Sequence, residues 1–179
     1  EEIVFSWANN GQVDCYDIEE DGMIIYQDIT KNIKKGNSFF SRKKFNFNMT
    51  HTYRIRAAKG QLVGAWSNEL VYMGIPSLKV KSVSDKTVQV EWNLINDADG
   101  YLLMVDDEVK LVSGNSYEDN TYNSEQIRKY KIASKRNNNV IGIFGVEIIL
   151  PPKIKKIEAF LETDKNQASL IWDNLIFKD

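Results

Sequence analysis

Three segments of this chain read alike, and their likeness restricts the fold more than any other feature. Ile3-Val4-Phe5-Ser6-Trp7, Val88-Gln89-Val90-Glu91-Trp92 and Ala168-Ser169-Leu170-Ile171-Trp172 each end on a tryptophan, at spacings of 85 and 80 residues. In the middle copy Val88, Val90 and Trp92 share one face, and Gln89 and Glu91 take the other. A period of two requires a strand with one buried face. Self-similarity at a long fixed spacing is the mark of a chain built from repeated structural units.

The likeness continues beyond the tryptophans. Trp7 is followed nine residues later by Tyr16, and Trp92 nine residues later by Tyr101. In that frame Ile18 matches Leu103. Thr52-Tyr53-Arg54-Ile55-Arg56-Ala57 matches Lys129-Tyr130-Lys131-Ile132-Ala133, with Phe40 and Tyr117 each thirteen residues ahead of the tyrosine. Turn signals separate these segments. Asp21-Gly22 leads into Met23–Tyr26, and Asp106-Asp107 leads into Val109–Val112. Asn137-Asn138-Asn139 tolerates positive φ, and Val140–Leu150 is expected to close the middle unit as one final apolar strand. Short strands between turns, without a helical period, predict an all-β sandwich.

On these residues the chain resembles tandem fibronectin type III domains. That family carries a Trp on its second strand, a Tyr on its third and a Tyr on its sixth. A Gly/Ser-containing turn follows, here Gly64-Ala65-Trp66-Ser67. The resemblance implies an all-β fold of tandem fibronectin type III-like β-sandwiches whose terminal units are incomplete. Residues 1–74 would form a unit lacking its first strand, 75–151 a complete unit, and 152–179 the start of a third. The chain is accordingly read as a segment of a longer array. The other arrangement would have Lys153–Asp179 pair with Glu1–Trp7. The likeness implies modular use and carries no catalytic residues or cofactor with it.

Composition narrows the partners. The net charge of −2, from 23 basic and 25 acidic residues, lacks the basic excess of a dedicated nucleic-acid binder. No apolar run reaches the roughly 18 residues that a membrane span needs. A single cysteine, Cys15, excludes a disulfide within the chain, and a catalytic thiol would need His51, the only histidine, as its base. There is no phosphate-binding glycine loop, no Gly-x-Ser-x-Gly elbow and no His/Cys cluster for a metal. Asn96-Asp97-Ala98-Asp99-Gly100 has two carboxylates near a glycine but lacks the remaining ligands of a calcium loop, so it reads as a turn.

Two features are candidates for contact. The stretch from Gln27 to Lys44 carries Lys31, Lys34, Lys35, Arg42, Lys43 and Lys44. It reads as a basic recognition loop, or as a solvated insertion balancing the acidic residues Asp14 to Asp21. Phe45, Phe47 and Met49 alternate, which predicts re-entry into the sheet after that loop. Trp66 reads as core packing at one end of the sandwich, or as an aromatic platform for sugar or protein. The linkers Tyr72–Pro76 and Leu150–Pro152 are short, which predicts sandwiches held end to end. The expected role is a non-enzymatic structural and binding module in a virion (phage tail) or bacterial surface assembly, extracellular, with protein partners and carbohydrate as a second ligand class. Accessory domains of a secreted polysaccharide-degrading enzyme are the alternative. A glycosylated ectodomain, using the sequon at Asn48, ranks below both.

Overall fold

A computed structural model describes residues 2–9, 12–27, 36–137, 140–154, 156–162 and 167–172. All of its regular structure is β. The first sandwich is built from β1 (Glu2–Asn9), β2 (Cys15–Glu20), β3 (Met23–Gln27), β4 (Gly36–Lys43), β5 (His51–Lys59), β6 (Leu62–Val63) and β7 (Leu70–Tyr72). Its sheets are β1-β4 and β3-β2-β5, with β6 and β7 both pairing to the far edge of β5. The second contains β8 (Leu78–Val83), β9 (Val88–Trp92), β10 (Gly100–Val105), β11 (Glu108–Val112), β12 (Ser116–Asp119), β13 (Arg128–Arg136), β14 (Val140–Ile141) and β15 (Ile148–Leu150). Here the sheets are β8-β9-β12 and β11-β10-β13, and β14 and β15 pair with β13. A hairpin of β16 (Ile157–Glu162) and β17 (Gln167–Trp172) follows. In the second sandwich three strands face four, counting β14 and β15 as one interrupted strand that returns beside β13, which is the fibronectin type III-like arrangement.

The repeat legible in the sequence is also a repeat of register. Ile18 lies opposite Ile55 in the first sandwich, and Leu103 lies opposite Ile132 in the second. Phe5 pairs with Phe40 as Val90 pairs with Tyr117. Period-two patterning specifies register this strongly because a one-residue slip would turn every apolar side chain outward. The tryptophan and the tyrosine nine residues on meet edge-to-face in both sandwiches, at 5.4 Å for Trp7–Tyr16 and 5.6 Å for Trp92–Tyr101. Aromatic rings favour this geometry because the positive edge of one meets the negative face of the other.

Two expected strands differ from what the fold contains. Val140–Leu150 is not one strand: β14 and β15 are separated by residues 142–147. In that gap Gly142 and Gly145 still donate to Ser134 O and Ile132 O, but the chain bends to pack on residues 73–75. The segment around Phe45, Phe47 and Met49 is not strand either, and its alternation misleads. Lys44 takes a φ of 58°, which ends β4, and the next residues form a turn. The strand lies earlier, at Gly36–Lys43, within the stretch read as a loop. Turn chemistry was the better guide: Asp21 and Gly22 adopt φ of 51° and 84°, and Asp106 and Asn137 also lie in the left-handed region.

In each sandwich the tyrosine of the long central strand is buried with its hydroxyl on a carboxylate. Tyr130 is wholly buried and donates to Asp119 Oδ2 at 2.8 Å. Tyr53 donates to Glu20 Oε1 at 2.6 Å. Burial alone would raise the Asp119 pKa. Hydrogen bonds from Thr121 and Tyr130, with the charge of Arg128, outweigh it and hold the group below its ordinary value. A depressed pKa stabilises the fold above the unfolded value near ~4 and is lost as pH falls through the folded value. Tyr130→Phe should therefore destabilise the second sandwich by about 1.5–3 kcal/mol at neutral pH, read as a lower urea midpoint. The gap between wild type and Asp119→Asn should close progressively as the pH is lowered below ~4.

Candidate interaction surfaces

The most constrained place in the molecule is the joint between the two sandwiches. After β7 the chain runs through Met73, Gly74, Ile75 and Pro76, and Met73 is only 2% exposed. A side chain on Gly74 would sit 2.8 Å from the backbone carbon of Asn48, closer than a Cβ can approach. Only glycine lets the turn at residues 46–49 lie directly on the linker. Ile75 N–H donates to Phe47 O at 2.7 Å, tying the linker to the first sandwich. From the second, Ser134 Oγ donates to Gly74 O at 2.5 Å in a buried bond. Thr50 Oγ1 bridges directly to Asn96 O at 2.8 Å. Asn93 Oδ1 accepts from Ser77 N–H. The loop at residues 96–100, acidic in sequence, thus reaches the joint through the Asn96 carbonyl, while Asp99 accepts from Asn137 N–H within the second sandwich.

An open cleft of about 740 Å³ lies along this joint, lined by Phe45, Phe47, Ile75, Phe144 and Val146 with Glu2 at its rim. Phe45, Phe47 and Tyr72 pack edge-to-face beneath it. His51 packs tilted against Phe45 and places Nδ1 2.8 Å from Asp21 Oδ2. Burial raises the Asp21 carboxyl, but bonds from Thr52 and His51 outweigh it, so its pKa lies below the usual carboxylate value.

Of the predicted contact residues, Arg42, Lys43, Lys44 and Trp66 are among the described residues. Lys31, Lys34 and Lys35 lie outside the described residues. Arg42 belongs to β4 and turns back onto Glu20, with Nε and Nη2 at 3.1 and 3.0 Å from Oε2. It shares that carboxylate with Tyr53, so it completes the first sandwich. Lys43 and Lys44 are exposed. Trp66 is half-buried in a ladder of alternating charge. Arg56 lies 4.4 Å from its ring centroid and Arg54 5.4 Å, with Arg56 bound to Asp17 and Arg54 to Glu19. Guanidiniums thus lie over the indole ring. Sequence reading missed this ladder, although Arg54 and Arg56 alternate on the strand beside Trp66, and Asp17 and Glu19 alternate with them. Among the described residues, no group of three or more His, Cys, Asp or Glu could hold a metal ion.

No protein-family model matches the chain, and no curated protein matches it. Among solved structures it is similar to the FN1–FN3 domains of chicken CNTN1, at 12% identity and a TM-score of 0.38. That likeness covers 83% of this chain and 59% of the other, so the chain spans less than two thirds of that structure. A two-domain fibronectin type III segment of chicken tenascin matches at 14% identity and a TM-score of 0.44, covering 83% and 92%. The central fibronectin-III array of RIM-binding protein matches at 12% and 0.36, covering 96% and 73%. Scores this low add nothing to the fold assignment, which rests on sheet order and register.

The ladder carries a prediction for the first sandwich. Trp66→Ala should lower its stability by about 1–2 kcal/mol in thermal or urea unfolding, by removing the surface on which both guanidiniums rest. Trp66→Phe should retain part of that difference.

Proposed function

We propose that the chain is a non-enzymatic structural and binding module: a stiff run of β-sandwiches acting as a spacer in a larger virion (phage tail) or bacterial surface assembly. Units at 1–74, 75–151 and 152–179 are the divisions this reading uses. The observation that carries it is the joint. A linker meant to flex is solvated and touches neither neighbour. This one is buried, bonded from both sides, and so tightly packed that a methyl group at Gly74 would clash. A spacer transmits position, and position is lost at the softest joint. The exposed Lys43 and Lys44, near the mouth of the joint in sequence, are the proposed contacts for an acidic protein partner, together with Lys31, Lys34 and Lys35.

Small-angle scattering tests the stiffness. The chain should fit one relative orientation of its two sandwiches. Gly74→Val with Ser134→Ala should broaden the distribution of maximum dimensions, while far-UV circular dichroism keeps the β signal of intact sandwiches. An unchanged scattering profile in the double variant, or a broad distribution in the wild type, would remove the basis for the spacer role.

A further inference from the structure

The second sandwich is bounded by the edges of β8, β12, β14–β15 and β11, and the first three of these carry a guard. An unguarded edge offers its backbone N–H and C=O groups to another chain. β8 shifts register against β9 between Val80 and Ser82, and it carries Lys79 and Lys81. A bulge and edge lysines both discourage an added strand. β12 is only four residues long. β14 and β15 are interrupted at residues 142–147, and Pro151 and Pro152 follow. In the first sandwich β3, the counterpart of β11, shifts register against β2 between Ile18 and Glu19. β11 has no such interruption. It pairs with β10 over five residues without a shift, and with no other described strand.

The direction of its backbone follows from the neighbouring strands. In an antiparallel ladder successive residues turn their N–H and C=O groups to opposite sides. Asp106 N–H donates to Lys129 O at 2.8 Å and so faces β13. Val105 therefore faces β11, and Glu108 opposite it faces back. Val109 and Leu111 then present their backbone groups to the free edge. Their side chains lie on the outer face of the sheet, 49% and 69% exposed. Glu108 and Lys110 share the other face. Lys110 would guard the edge as an isolated charge, but its Nζ donates to Glu108 Oε2 at 2.7 Å.

We propose that β11 is a dimerisation edge and that its occupant is β11 of a second copy, antiparallel about a two-fold axis through Val109. This deepens the binding-module reading, on which it rests, by naming the partner for one internal edge. Charge selects both the occupant and the register. An axis through Lys110 would set ammonium directly against ammonium, which is unfavourable across strands. An axis through Val109 sets Glu108 of each copy against Lys110 of the other, twice. These are the pairs that do not exchange backbone hydrogen bonds, so their side chains come closest. Val109 meets Val109 at the centre, and the same patch serves both copies.

Sedimentation equilibrium of the unsubstituted chain should show a concentration-dependent monomer–dimer equilibrium. Glu108→Lys sets lysine against lysine at both crossings, and Lys110→Glu sets glutamate against glutamate. Each alone should weaken association about tenfold or more. Mixed, the two variants have opposite charges at both crossings and should associate at least as well as the unsubstituted chain. Val109→Pro removes an N–H turned to the free edge and leaves the β10 ladder in place. It should sediment as a monomer while keeping the urea midpoint of the second sandwich. A monomer at every concentration of the unsubstituted chain would overturn the proposal. So would a Val109→Pro chain that still dimerises, or a mixture that associates no better than its components. Scattering at dilution reads the stiffness of the joint within one copy, so either reading can fail without the other.

Discussion

A phenol buried between two sheets must find an acceptor for its hydroxyl, and both sandwiches are organised around that requirement. Tyr53 and Tyr130 occupy the same place on equivalent strands and are 3% and 0% exposed. Their acceptors come from different places: Glu20 ends β2, whereas Asp119 ends β12. Each carboxylate is buried and recruits an arginine from elsewhere, Arg42 in the first case and Arg128 in the second. An unpaired buried carboxylate would cost several kcal/mol, so tyrosine, acid and arginine stand or fall together. With the hydroxyl fixed, the ring below it sets the register of the central strand, and the edge-to-face Trp–Tyr contact aligns the opposite sheet.

The joint applies the same economy between sandwiches. Its hydrogen bonds use groups the strands leave over: the carbonyl of Gly74, the carbonyl of Phe47 and the hydroxyls of Thr50 and Ser134. The Ser134–Gly74 bond is buried, so loss of the packing there would leave its two groups unsatisfied. The bend at residues 142–147, which interrupts the final strand of the second sandwich, is where that sandwich receives the linker. Continuous pairing there would leave no room for Met73 and Ile75, against which Gly142 and Gly145 lie.

Much of the architecture was legible in the sequence because it depends on local period and repeat. The Trp strands, the Trp–Tyr offset of nine residues and the Asp-Gly turn all appear in the structure as read. What was not legible is tertiary. Nothing near Tyr130 in sequence announces that Asp119 will be its acceptor rather than a counterpart of Glu20. The alternation of Phe45, Phe47 and Met49 has the period of a strand. Its first two rings are instead drawn to Tyr72 and His51, and the backbone breaks at Lys44 to deliver them. Arg42 reads as one charge among six in a basic stretch, yet it is committed to Glu20. Charge runs show composition, whereas the partner of each charge depends on which strand lies beside it.

The linker belongs to the fold and is not a tether between folds. Amide hydrogen exchange tests it most directly. Ile75 N–H, bonded to Phe47 O, and Gly145 N–H, bonded to Ile132 O across the bend that holds the linker, should be protected to a degree comparable with the amides of β13. Exchange of these two amides at the rate of an unstructured peptide, while β13 stays protected, would show that the sandwiches are joined by a hinge and would contradict it.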